Sequence, residues 1–142
     1  MSGLEGISVK VESSGCSETE SWGNAVPILH EIRHALARLL EQGEATIIDL
    51  RSIPMGPGDE RRLFDALGEG ELRAELDALG RSTIRESRYP AVWIVEHFNG
   101  NDEVVGRFVE ITWIPSILQA QAEDVRAGLD SLAESLAADA GK

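Results

Sequence analysis

The stretch Leu67–Trp93, LGEGELRAELDALGRSTIRESRYPAVW, decides the fold. It holds a helix stop at Leu67-Gly68, two short alternating segments and a proline turn in one unbroken run, the make-up of hairpins at the centre of a sheet. Leu72, Ala74 and Leu76 alternate with Glu71, Arg73, Glu75 and Asp77, which predicts one buried and one solvated face. Leu79-Gly80 marks a tight return, and Ser82 to Arg88 reads as the next strand. Tyr89-Pro90 ends that strand, because proline has no N–H to give to a ladder. Ala91 to Phe98 follows as an apolar strand.

Downstream, Asn99-Gly100-Asn101-Asp102 is a hairpin turn and residues 103–114 are the return strand, broken by Pro115. Val125, Leu129, Leu132 and Leu136 then recur at helical spacing. Upstream, Asn24 reads as an N-cap, Pro27 fits a first turn and Gly43 a helix end, with Leu29, Ile32, Leu36, Leu39 and Leu40 facing the core. ATIIDL, residues 45–50, is a short buried strand. Asp59 after Pro57-Gly58 caps a second, short helix with Leu63, Phe64 and Leu67 inward and Gly68 at its end. The order helix, strand, helix, four strands, helix predicts an α+β fold, a mostly antiparallel sheet of about five strands with helices at both ends of the chain packed on it. Residues 1–24 read as a flexible arm with a short candidate edge strand at Ile7, Val9 and Val11; residues 25–138 form a single domain; residues 139–142 are a frayed tail.

Composition limits the function. With 142 residues the chain can close a core without disulfides or a structural metal. A net charge of −12 argues against nucleic acid, whose recognition rests on Lys and Arg neutralising phosphates. The single cysteine, Cys16, allows no internal disulfide framework and fits a reducing cytoplasm. No apolar run approaches the roughly 20 residues that span a bilayer, and no export signal opens the chain.

The sharpest local motif is His30-Glu31-Ile32-Arg33-His34, which fits H-E-x-x-H on a helix: two zinc ligands with a glutamate base, hence a zinc hydrolase. At about 100° per residue both histidines project nearly opposite the leucine stripe, so they face solvent or a partner rather than a shielded cleft. Ala37 stands where the extended motif requires glycine, and no third ligand is marked. Glu69, Glu71, Glu86, Glu96 and Glu110 could act as general acids or bases, but carboxylates on alternating strands are the ordinary solvated face. Arg85 and Arg88 could clamp an anion; Arg81 and Arg85 could equally pair with Glu71, Glu75 or Asp77 across the hairpin. His97 reads as a satisfied strand histidine, and no nucleophile with an oriented base is present. Trp93, Phe108 and Trp113 belong to the core or to an aromatic contact patch.

ATIIDLRSIPMGPGD, LGEGEL, STIRESRYPAVWIVEH and FVEITWIPSIL, in that order and with those gaps, resemble the HupH/HyaF hydrogenase expression and formation proteins over roughly residues 25–120. HEIRHALARLL looks like part of the same pattern, which weakens the protease reading. The resemblance implies an accessory of nickel–iron hydrogenase maturation that binds hydrogenase subunits or other maturation proteins, with no reaction and no cofactor of its own. Such proteins commonly carry this region as the C-terminal half of a longer chain, so a homodimer is expected to supply missing surface. The residues expected to face the partner are Glu69, Glu71, Arg85, Glu86, Arg88 and His97.

Overall fold

The computed structural model describes residues 23–141. The expected strand at Ile7, Val9 and Val11, the arm up to Trp22, Cys16 and Lys142 lie outside the described residues. The elements run α1 (Ala25–Gln42), β1 (Thr46–Asp49), a 3-10 turn (Leu50–Ser52), α2 (Asp59–Leu67), β2 (Arg73–Asp77), β3 (Arg81–Glu86), β4 (Val92–Phe98), β5 (Val104–Ile111), a 3-10 turn (Ser116–Leu118) and α3 (Ala122–Ala140). All five strands form one antiparallel sheet in the order β1-β5-β4-β3-β2. The α+β class and the helices near both ends are those the periodicities predict. Helix α3 reaches Ala140, two residues into the stretch 139–142 expected to fray.

The turns form where the residues permit them. Leu79 and Gly80 take positive φ in the β2–β3 return, and a Cβ at Gly80 would sit 2.6 Å from the Phe98 carbonyl oxygen. In the β4–β5 hairpin the Asn99 side-chain oxygen accepts from the backbone N–H groups of Asn101 and Glu103, and Asp102 takes φ +65°. Gly43 closes α1 at φ +72° by donating to the Leu39 carbonyl. Asn24 stands at the head of α1 without capping it, its side chain donating instead to the Pro54 carbonyl. Asp59 opens α2 one residue inside Gly58, its carboxylate turned back to accept from Gly56 N at 2.6 Å and Asn24 N at 3.3 Å. The loop before α2 is thereby tied to the head of α1.

The main core lies between the helices and one sheet face. Ile28, Ile32, Ala35 and Leu39 of α1 and Leu63 and Leu67 of α2 meet Ile48, Leu50, Val92, Ile94, Val109 and Ile111. On the opposite face Ile84, Trp93 and Val95 form a smaller cluster with Ala74, Phe108 and Ile117. Alternation explains both clusters, since Ile94 pairs with Val109 on one face while Val95 pairs with Phe108 on the other.

Two predicted faces require correction. The centre of the sheet is β4, and β2 is an edge strand: Leu72 is 57 % and Leu76 39 % exposed, and only Ala74 is half-buried. The alternation is real, but Leu72, Ala74 and Leu76 point to the face opposite α1 and α2, where Ala74 meets the small cluster of Ile84, Trp93 and Val95 and the two leucines lie beyond it at the sheet edge. In α1 the buried line is Ala25, Ile28, Ile32, Ala35 and Leu39, while Leu29 and Leu36 are half-buried and Leu40 is 75 % exposed. The apolar sector of α1 is wider than the face the sheet covers. Packing of α3 on the sheet is likewise not observed: none of its residues is buried.

Candidate functional site

The candidate site is built on the turn from Ser87 to Ala91. Ser87 is buried, and its hydroxyl donates to the Tyr89 carbonyl at 3.1 Å and accepts from the Tyr89 N–H at 3.0 Å. Val92 N donates to the Tyr89 carbonyl and Ser87 N to the Val92 carbonyl, closing the turn around Pro90. Ala91 sits at φ +74°, a conformation that costs a residue with a Cβ and is held here by the hydrogen bonds on either side.

The segment Gly68–Leu72 runs beside this turn. Gly70 N donates to the Glu86 carbonyl at 2.7 Å, Glu86 N to the Leu72 carbonyl at 2.9 Å and Arg88 N to the Leu67 carbonyl at 2.7 Å. Glycine is required at position 70, because a Cβ there would collide with the Ser87 carbonyl oxygen. The Arg88 guanidinium folds over Gly68, where φ is +65° and a Cβ would come 2.6 Å from Nε.

Four of the predicted partner-facing residues converge here. Glu69, Glu71, Glu86 and Arg88 line one concavity of about 430 Å³ together with Gly70, Ser87 and Pro90. Glu86 and Pro90 also border an adjoining concavity of about 360 Å³ with Leu36, Leu39, Leu40, Ala91 and Trp113. Leu36 in turn borders a third, largely apolar one of about 290 Å³ with Leu29, Ile32, Arg33, Ala66, Leu67 and Tyr89. An acidic hollow with one arginine therefore continues into an apolar groove along α1. The groove residues Leu40, Tyr89 and Pro90 were not expected at a site, and Trp113 was expected in the core or in an aromatic contact patch. The sequence carries a trace of them, since α1 has more large apolar positions than one core stripe can use.

The other two lie elsewhere. Arg85 turns toward α2, with its guanidinium 5.4 Å from the Phe64 ring centroid and with Arg73 opposite it across the ladder. It makes no ion pair among the described residues; Arg81 alone meets the hairpin carboxylates, Glu75 at 3.6 Å and Asp102 at 2.9 Å. His97 Nδ1 lies 2.7 Å from Ser82 Oγ, and its ring meets Phe108 edge-on at 5.8 Å. Ser82 is four strand residues from Glu86, about 13 Å at strand rise, so His97 is remote from the hollow.

Toward the His97 end of the sheet, Arg107 joins β5 to β4 and α2. Its Nε donates to Glu96 at 2.7 Å and its Nη1 to Glu60 at 2.5 Å, and the guanidinium lies 5.7 Å from the Phe64 centroid. Burial pulls this guanidinium down, but the hydrogen bonds to the two carboxylates outweigh it and hold it above its ordinary range. On the opposite face burial pushes the Glu110 carboxyl up, against the pull of His97. His30 and His34 are both exposed on α1, as is Glu31 between them. Among the described residues no group of three or more His, Cys, Asp or Glu side chains is placed to hold a metal ion. No helix among them is long and apolar enough to cross a membrane.

The model of the HupH hydrogenase expression protein C-terminal conserved region matches residues 23–138. The chain belongs to the HupH family. The hydrogenase expression/formation protein HoxQ of Azotobacter vinelandii is 33 % identical over 113 residues, 78 % of this chain and 40 % of that protein. HupH of Rhizobium leguminosarum bv. viciae is 32 % identical over 103 residues, 72 % of this chain and 36 % of that protein. The solved hydrogenase expression protein HupH from Thiobacillus denitrificans is 40 % identical, with a TM-score of 0.77 over 81 % of this chain and 96 % of that one. This HupH-family chain thus spans about two fifths of the curated relatives and nearly all of the solved one.

Proposed function

We propose that the chain is an accessory of nickel–iron hydrogenase maturation in the cytoplasm that works by binding, holding a hydrogenase subunit or another maturation protein against the surface around Ser87–Ala91. The observation that carries this reading is the meeting of Glu69, Glu71, Glu86 and Arg88 in one hollow that runs on into the apolar groove of α1. An apolar strip beside charged groups suits a protein partner: the strip supplies area, and the charges set orientation and exclude wrong partners. Two copies form the working unit, each presenting one such surface.

Co-purification from hydrogenase-producing cells tests the reading, with partners identified by mass. The intact chain recovers a hydrogenase subunit or maturation protein. Leu40→Asp combined with Trp113→Ser, both changes at exposed positions, lowers that recovery at least tenfold while the unfolding midpoint stays within about 2 °C of the parent. Recovery of the same protein in the same amount by the variant would place the docking surface elsewhere. Recovery of no hydrogenase-related protein under inducing conditions would overturn the function.

A further inference from the structure

Helix α3 has a more specific pattern than amphipathicity. Val125 and Leu132 are seven residues apart, as are Leu129 and Leu136, and the two pairs interleave at spacings of four, three and four. That is the a/d seam of a coiled coil, narrower than the stripe of a helix packed in a globular core. All four side chains are 58–65 % exposed. In proteins most helical stability comes from packing of the apolar face, and none of the 19 residues of α3 is buried, so the helix calls for a partner along this seam.

The charges say what kind of partner. Glu123, Asp124, Asp130 and Glu134 all fall on the outer positions of the heptad, turned away from the seam. The flanking positions hold Arg126, Gly128, Ala133, Ser135 and Ala140, which let two helices approach closely and place no carboxylate against an identical neighbour. An acidic helix that keeps four of its five acids off the contact line can pair with itself. Asp139, the next seam position after Leu136, fixes the direction. In a parallel pair it would face its own copy; in an antiparallel pair it meets the partner's first helical turn, whose N–H groups carry no side-chain cap and near which Arg126 lies.

We propose that α3 is the pairing element of the chain, docking antiparallel along α3 of a second copy with Val125 against Leu136 and Leu129 against Leu132. This rests on the reading that two copies form the working unit. It uses none of the residues that line the hollow and groove around Ser87–Ala91. The seam from Val125 to Leu136 is about 17 Å long on a helix of about 28 Å, so the interface is at the small end of specific ones, below about 1,200 Å² in total. A dissociation constant near 10 µM is expected, on the order of the micromolar affinities that such areas support.

Light scattering of the full chain across concentrations is the test. At about 100 µM the weight-average mass is about 1.8 times the 15.4 kDa of the chain, and at about 1 µM it falls to within roughly 15 % of the single-chain value. Leu129→Asp with Leu132→Asp abolishes the doubling while the unfolding of the sheet domain, followed by tryptophan fluorescence, is unchanged. In a Cys16→Ser background, a mixture of Val125→Cys and Leu136→Cys chains cross-links at least tenfold faster than either chain alone. A single-chain mass at every concentration would overturn the pairing altogether. A doubled mass that persists in the Asp variant would leave two copies standing and overturn α3 as the interface. Faster cross-linking of Val125→Cys with itself would overturn the antiparallel direction.

Discussion

Arg107→Met removes the cation whose ion pair with Glu60 ties α2 to the sheet while keeping most of the aliphatic stem. The side chains of Arg107 and Glu96 are 20 % and 14 % exposed, and that of Glu60 is 44 % exposed. Breaking a fully buried ion pair by removing one partner costs about 3–5 kcal/mol, because the other charge is left without compensation. Exposed pairs are worth about 0–1 kcal/mol. Glu96 is near the buried limit and Glu60 near the exposed one, so, discounted for solvent screening, the loss is about 2–3 kcal/mol. For a domain of this size that lowers the melting temperature by roughly 8–12 °C. Urea unfolding followed by tryptophan fluorescence measures it, since Trp93 is buried in the sheet. Arg107→Met with Glu96→Gln recovers at least about 1 kcal/mol of the loss, because no orphaned charge remains. A single-variant loss below about 1 kcal/mol, with no recovery in the double variant, would show that the triad is an ordinary surface network and that α2 is held by Leu63 and Leu67 alone.

Two further outcomes follow from the same geometry. Gly70→Ala destabilises by about 1–3 kcal/mol through collision with the Ser87 carbonyl and a neighbouring Glu86 Cβ only 3.2 Å away, and it speeds amide exchange of Gly70 and Arg88. Glu110→Gln raises stability at neutral pH. Because burial raises the Glu110 pKa in the folded state, the wild-type carboxyl favours folding only when protonated, and that contribution is lost as pH rises through the folded value. The advantage of the glutamine variant therefore shrinks as pH falls and is gone below the unfolded carboxyl pKa of about 4.3, which denaturation midpoints across pH 3–7 check.

Much of the candidate site was legible, and the reason is local. Glu69, Glu71, Glu86 and Arg88 are brought together by one hairpin extension, Gly68–Leu72 beside Glu86–Arg88, whose glycines and proline are visible in the sequence. Arg85 and His97 lie apart from the hollow because adjacent strand residues point to opposite faces and because strand length, not sequence order, separates Ser82 and His97 from the turn. The groove of Leu40, Tyr89, Pro90 and Trp113 joins α1, the Ser87–Ala91 turn and the end of β5, and no short-range pattern links those three.

By itself the sequence determined the elements: period-two alternation, the Leu79-Gly80 and Asn99–Asp102 turns and the glycine stops fix strands, hairpins and helices through backbone sterics that act within a few residues. Only the tertiary structure decided what covers each apolar face. The alternation in β2 and the leucines of α1 and α3 state which side is apolar, but burial is a property of two surfaces. Helices α1 and α2 cover β1, β5 and β4; they leave β2 at an open edge, the outer flank of α1 as a groove and the seam of α3 without a partner.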